Sequence, residues 1–296
     1  MNATQVMQAL AALGTDFTPA QMVATRELFA PRVLQPAQLE GCTVLRDIAY
    51  GPDPKQRLDL FMPPDVSQPR PVFVFVHGGG FVQGDKGAAD APFYNNVGAW
   101  AVREGYVGVA MTYRLAPAHP WPTGSADIAA ALRWIAASVA QHGGDPACLV
   151  LCGQSAGAIH VAGYLAGHGV EPGEATTLAG AVLVSGIYDL AAAGPSPMHD
   201  AYYGSDASLH AARSTIDALA ATAVPCLYAV CERDPPEFQR QAAALVQARV
   251  ARAGAWPAFA WLGGHNHLSS VLQLGSDVDS LGPALHDFIE GLATRA

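Results

Sequence analysis

The sequence predicts an α/β fold built on a mostly parallel sheet, and three observations carry that prediction. Val72-Phe73-Val74-Phe75-Val76 is apolar without alternation, which suits a strand covered on both faces. From there onward, strand-like and helix-like segments alternate to the end of the chain, the order of a doubly wound sheet with right-handed crossovers. Finally, Cys148–Cys152 reads as a short buried strand, Gly153-Gln154-Ser155-Ala156-Gly157 as a sharp turn, and the small and apolar residues after it as a helix. That context gives weight to a G-x-S-x-G match that is weak by itself.

Two helices are expected first, over Ala3–Leu13 and, after a Thr18 cap, over Pro19–Ala30. They precede every strand signal and have no obvious place in a sheet. Strands are expected at Val44–Ala49, Leu58–Met62, Val72–Val76, Tyr106–Thr112, Cys148–Cys152, Ala181–Ser185, Pro225–Val230 and Ala258–Leu262. The first two lack an intervening helix and read as an antiparallel pair. Helices are expected at Pro92–Arg103, Ala126–Val139, Ala156–Gly167, Glu237–Ala253 and Val278–Leu292. The segment Ala191–Ala223 mixes Gly, Pro and Ser with Met198, Tyr202 and Tyr203 and holds two short helical signals. It reads as an insertion that, with residues 1–40, covers a site as a cap or lid. With no repeat or low-complexity linker, residues 1–296 form one domain.

Composition narrows the function classes. The 296 residues are 51% hydrophobic and 14% charged, with a net charge of −9. That balance builds a core and excludes disorder. The 16 Lys and Arg residues are scattered without a basic stripe, which argues against nucleic acid as a partner. Cys42, Cys148, Cys152, Cys226 and Cys231 are odd in number and lack metal-site spacing, so a reducing compartment is expected. The first twenty residues lack a basic start followed by a long apolar run, and no apolar run reaches membrane-spanning length. A soluble cytoplasmic protein without membrane partners is the expectation; the sequence leaves the oligomeric state open.

A serine hydroxyl becomes a nucleophile only when an oriented base takes its proton, and the base is usually held by a carboxylate. In an open α/β sheet such groups sit on loops at the carboxyl ends of strands. After Val230 comes Cys231-Glu232-Arg233-Asp234-Pro235-Pro236, and after Leu262 comes Gly263-Gly264-His265-Asn266-His267-Leu268-Ser269. Asp234 lies deeper in its loop than Glu232, and the prolines keep it out of the next helix's first turn. Of the two histidines His267 is the expected base and His265 its neighbour. His-x-His could be half of a metal site, but no third ligand stands at a suitable spacing, and no cofactor is expected.

The third strand runs into His77-Gly78-Gly79-Gly80-Phe81, where missing side chains would let backbone N–H groups face a developing oxyanion. The N–H of Ala156 would be a further donor. A phosphate loop would need Gly-Lys-Ser/Thr where Gly84-Asp85 follows, and a dinucleotide fingerprint would need glycine where Gln83 stands. Phe81, Trp121, Tyr188, Met198, Tyr202 and Leu268 are candidates for an apolar substrate pocket; ordinary core or lid packing is the competing reading of each.

His77-Gly78-Gly79-Gly80, Tyr113-Arg114-Leu115-Ala116-Pro117 and Gly153-Gln154-Ser155-Ala156-Gly157 together resemble the hormone-sensitive-lipase-like branch of the α/β-hydrolase carboxylesterases, from about Tyr50 to the last helix. The resemblance implies an α/β-hydrolase fold with a central, mostly parallel eight-stranded sheet flanked by helices and a helical cap. It implies Ser155, Asp234 and His267 as triad and Gly79, Gly80 and Ala156 as oxyanion hole, with His77 bracing the glycine loop and Tyr113-Arg114 structural. The chain departs from that branch at Gln154, usually Asp or Thr, at Ala158, usually Gly, and at Leu268-Ser269, usually Gly-Phe.

Ser155-Ala156-Gly157-Ala158, Gly84-Asp85-Lys86, and Tyr50-Gly51-Pro52 leading to Leu58-Asp59-Leu60 are instead similar to arylformamidase (kynurenine formamidase)-like esterases. The expectation is a serine esterase for short-chain or aryl esters. N-formyl aryl amides such as N-formylkynurenine are the alternative substrates, and a ligand-binding protein without catalysis is the alternative from a different class.

Overall fold

The parallel core begins where the sequence loses its alternation. A computed structural model describes residues 1–33, 39, 41–65 and 67–293, so residues 34–38 and 40 of the expected cap lie outside the described residues. Its strands are β1 (Thr43–Ala49), β2 (Arg57–Met62), β3 (Arg70–Val76), β4 (Val107–Met111), β5 (Gly144–Gln154), β6 (Gly180–Val184), β7 (Cys226–Arg233) and β8 (Ala258–Asn266). They form one eight-stranded sheet in the order β1-β2-β4-β3-β5-β6-β7-β8. β1 pairs antiparallel with β2, and β2 with β4; every later pairing is parallel.

Both faces of the sheet are covered, and β3 shows how. Val72, Val74 and Val76 enter one core cluster while Phe73 and Phe75 enter the other, as the alternation of Cβ directions requires. The first cluster lies under α4 (Thr123–Ser138) and α5 (Ala156–Leu165), the second under α3 (Asn95–Arg103) and α11 (Gly282–Ala293). Cys152 and Cys231 fill the second cluster as small hydrophobes, and all five cysteines are free thiols.

α1 (Ala3–Ala12) opens with a capping box in which Asn2 and Gln5 exchange backbone bonds. α2 (Pro19–Val33) follows after the short Leu13–Thr18 connection. The two helices have a place after all: Val6, Leu10, Phe29 and Val33 are buried in the second cluster. Asn266 Nδ2 donates to Thr25 Oγ1 at 2.9 Å, so the N-terminal segment is docked onto the end of β8.

The inserted segment holds three short helices where two were expected: α6 (Pro197–Tyr203), α7 (His210–Arg213) and α8 (Ile216–Ala221). After it come α9 (Pro236–Ala253) and a single-turn α10 (Ser269–Leu272) that the sequence did not signal.

The largest local difference is in β8. Gly263-Gly264-His265-Asn266 reads as loop by residue type, yet the strand continues to Asn266, which pairs with Arg233 across an irregular register. Pairing with a neighbouring strand overrides the low strand preference of glycine. The consequence is positional: β7 and β8 end together, immediately before Asp234 and His267.

Candidate active site

Ser155 sits between β5 and α5 with φ 56° and ψ −122°, a left-handed conformation that costs a non-glycine residue about 1–3 kcal/mol. The surrounding glycines make that turn possible. A Cβ on Gly153 would run into the backbone carbonyl of Gly157, and one on Gly157 into that of Val76. The turn therefore presses against β3 while Ser155 stays half-buried at its tip.

The side chains named from the sequence converge here. His267 Nε2 lies 2.8 Å from Ser155 Oγ, and His267 Nδ1 lies 2.6 Å from Asp234 Oδ1. The other carboxylate oxygen, Oδ2, accepts from Ser185 Oγ and from the Cys231 N–H, both at 2.6 Å. Asp234 is thus fully buried with two neutral donors and one imidazole. Ser185 reaches it from the end of β6 with φ 51°, a second non-glycine residue in the left-handed region.

The neighbours of Asp234 and His267 divide from them cleanly. Glu232 points to the outer side of the strand pair, where Oε2 accepts the Gly264 N–H at 2.7 Å. His265 lies beneath α2, with Nδ1 3.2 Å from Ser269 Oγ and its ring against Phe29. Burial pushes its pKa down to about 4, so it stays neutral. Its imidazole and that of His267 therefore serve different partners.

The His267 carbonyl receives two side-chain donors, Ser270 Oγ at 2.7 Å and Gln154 Nε2 at 3.0 Å. Gln154 is buried, and its Oε1 lies against Gly78, where an added Cβ would come within 2.5 Å of it. One side chain therefore spans from the histidine turn to the glycine loop. Residue type alone did not reveal this; the departure from the usual motif at position 154 was the available signal.

The glycine loop is braced from behind. His77 is buried, donates from Nδ1 to the Gly78 carbonyl at 2.6 Å, and stacks on Tyr113 at 4.4 Å. Burial pushes its pKa down to about 4. Tyr113 returns a bond from its hydroxyl to the His77 carbonyl at 2.9 Å. Arg114 is held away from the site by Asp127, with Nη2 2.7 Å from Oδ1. Among the described residues, no group accepts a hydrogen bond from the N–H of Gly79, Gly80 or Ala156. The last is the first residue of α5, where helical N–H groups carry partial positive charge.

Of the six apolar candidates, four gather near the turn. Phe81 stacks on Tyr202 with ring centroids 4.6 Å apart, and with Ala156 and Ile159 they belong to a third apolar cluster against which Trp121 packs. Met198 on α6 overhangs Gly80, so a Cβ there would strike its sulfur. Tyr188 and Leu268 do not join them. Tyr188 is buried in the first core cluster with its ring against Gly186, and Leu268 is buried in the second. Both stand within a few residues of a strand end, after β6 and β8 respectively, where the chain turns back into the sheet layers. Two aromatic rings not expected here flank His267 instead: Phe17, with ring centroids 4.8 Å apart, and Phe238, at 4.2 Å.

A family model described as BD-FAE matches residues 58–243, more than half of the chain. The chain belongs to the BD-FAE family. This BD-FAE member is 35% identical over 113 residues to Esterase LipC of Mycobacterium tuberculosis, covering 38% of the chain and 27% of that protein. It is 41% identical over 98 residues to Carboxylesterase NlhH of the same organism, covering 33% of the chain and 30% of that protein. The chain thus matches less than a third of the length of these curated relatives.

Among solved structures it is similar to esterase B from Lactobacillus Rhamnosis, with a TM-score of 0.76 at 20% identity over 99% of this chain and 96% of that one. A thermostable esterase from Pseudomonas putida gives a TM-score of 0.69 at 19% identity, covering 98% and 96%. At such identity the likeness is one of fold, and the fold is that of the α/β-hydrolases.

Proposed function

We propose that this protein is a serine hydrolase of carboxylic esters, acting through an acyl-enzyme intermediate. The observation that carries the reading is the continuous hydrogen-bonded line from Ser155 Oγ through the His267 imidazole to Asp234. The esterases among its relatives support the same reading.

Ser155 Oγ attacks the ester carbonyl carbon while its proton passes to His267 Nε2. The carbonyl oxygen becomes an oxyanion facing the N–H groups of Gly79, Gly80 and Ala156. When the tetrahedral intermediate collapses, the ester C–O bond breaks and the leaving oxygen takes the proton from Nε2. Water then adds to the acyl-enzyme through the same base and releases the acid. Asp234 keeps the imidazole in the tautomer that leaves Nε2 free to accept, and its charge stabilises the imidazolium.

Substrate size follows from the cap. Met198 lies over Gly80, and the Phe81–Tyr202 stack belongs to the same apolar cluster as Ala156, an arrangement that favours short acyl groups. The five free thiols support a reducing compartment, and so the cytoplasm, as the place of action.

Nitrophenyl esters of graded acyl length test the reading directly. Turnover is expected to peak at two to four acyl carbons, and Ser155→Ala is expected to lower kcat by at least about 10⁴-fold. Near-normal turnover in that variant, or rates that keep rising beyond about eight carbons, would contradict the respective part of the proposal.

A further inference from the structure

Phe17 belongs to neither core cluster nor to the apolar cluster at Ser155. It stands in the connection between α1 and α2 and is 41% exposed, yet its ring meets the His267 imidazole edge to face, at 77°. Met198, 43% exposed, overhangs Gly80 from the inserted segment. Each predicted cap segment thus sets one large, partly exposed apolar side chain beside the half-buried Ser155, one against the base and one over the glycine loop.

The position against the base has a chemical meaning. In ester cleavage His267 Nε2 must come within about 3 Å of the leaving oxygen to hand it a proton. Any group carried on that oxygen then lies beside whatever flanks the imidazole. One flanking ring is Phe238, tilted against the imidazole and packed against the apolar cluster. The other is Phe17, which is partly exposed. Thr15, Asp16 and Thr18 around it are polar and exposed. Both groups that flank the imidazole are aromatic rings, a surface suited to a planar group in offset or edge contact.

We propose that Phe17 is a specificity-determining residue and that the alcohol released from the substrate is compact and aromatic, packed against Phe17 as the ester bond breaks. This inference rests on the esterase reading and goes beyond it by naming the leaving group. It concerns the alcohol side, independently of the acyl side under Met198.

Three acetates with closely similar leaving-group basicity separate these claims: benzyl, cyclohexylmethyl and octyl acetate. In the unmodified enzyme kcat/KM for benzyl acetate is expected to exceed that for cyclohexylmethyl acetate about fivefold, with octyl acetate no better than the latter. Phe17→Leu keeps apolar bulk but removes the ring, and is expected to bring the benzyl to cyclohexylmethyl ratio to about one. Phe17→Tyr is expected to preserve it. The partial exposure of Phe17 allows both variants to fold, and thermal melts monitor that. An unmodified enzyme that hydrolyses all three without aromatic preference overturns this inference alone, as does a ratio unchanged in Phe17→Leu. Hydrolysis of none of them while nitrophenyl esters turn over also overturns this inference alone; failure on both sets overturns the esterase reading together with it.

Discussion

Asp234 and Asp59 are both fully buried carboxylates on the same sheet, balanced in different ways. Asp59, on β2, accepts from Arg46 at 2.7 Å and from Lys86 at 2.9 Å, and also takes the Asp47 N–H at 2.9 Å. Its charge is met by fixed cations. Asp234, at the end of β7, has only the Ser185 hydroxyl, the Cys231 N–H and the His267 imidazole. No lysine or arginine pairs with it among the described residues. A carboxylate balanced this way gains its full counter-charge when the imidazole takes a proton. The first arrangement holds a strand pair together. The second joins Asp234 through the His267 imidazole to Ser155, the line on which the proposed proton transfer rests.

The same contrast explains a resemblance. Gly84-Asp85-Lys86 and Leu58-Asp59-Leu60 are similar to arylformamidase-like esterases in sequence, but their charged members make ion pairs in the framework. Lys86 bridges Asp47 and Asp59, and Asp85 pairs with Lys55 at 2.9 Å. They brace the antiparallel side of the sheet and do not contact the Ser155 turn.

The contrast is most sharply broken by exchanging carboxylate for amide at both places. Asp234→Asn is expected to lower kcat by about 10³- to 10⁴-fold, because the amide admits the wrong imidazole tautomer, with the melting temperature little changed. Asp59→Asn leaves Arg46 and Lys86 facing each other without it, and is expected to cost about 3–5 kcal/mol of stability. Its kcat per folded molecule should stay within about twofold of the unmodified enzyme. Urea unfolding and active-site titration on both variants read the two quantities separately. A large kcat loss in Asp59→Asn with stability intact would erase the distinction.

Buried histidines extend the comparison to pH. Burial depresses the pKa of His77 and His265 to about 4 and that of His160 to about 3, against an unfolded value near 6.5. Their folded values lie below the unfolded one, so the unfolded chain binds protons that the native state refuses. Stability is therefore complete above about pH 6.5 and falls as pH drops toward 4, by up to about 1.4 kcal/mol per pH unit for each histidine. Burial also lowers the pKa of His168 and His199; urea midpoints at pH 7, 6 and 5 should decline with increasing steepness, and His160→Phe should remove one histidine's share of that decline. Midpoints that stay level over that range would contradict the burial argument.

Smaller effects test how the site is held. Gln154→Met keeps the bulk but removes the donor to His267, and is expected to lower kcat about tenfold with KM nearly constant. A matching rise in KM would instead place Gln154 in substrate binding. Ser185→Ala and Ser185→Gly both remove the hydroxyl from Asp234, while only the glycine relieves the φ of 51°. Each should cost about three- to tenfold in kcat. Recovery of full activity in the glycine variant would assign the effect to backbone strain and not to the hydroxyl.

Much of this was legible in order along the chain. The strand–turn–helix around Ser155, the loop at Asp234 and the histidine pair at the end of the last strand are short-range patterns, and the structure brings Ser155, Asp234 and His267 into hydrogen-bonding line. What escaped notice depends on residues far apart in sequence. Phe17 reaches His267 only because α1 and α2 dock on β8, and Gln154 meets His267 across 113 positions. Tyr188 and Leu268 were misdirected by residue type, which does not say toward which layer a side chain turns once a strand has ended.

The sequence by itself determined the fold class, the order of the strands and of the longer helices, and the glycines that let Ser155 stand at the tip of its turn, because hydrophobic periodicity and glycine sterics are local. Only the tertiary structure decided that β8 runs through two glycines to Asn266, so that His267 stands beside Asp234 while His265 is buried under α2. That outcome rests on strand pairing with β7 and on the packing of the N-terminal helices, interactions between segments that the chain order alone does not bring together.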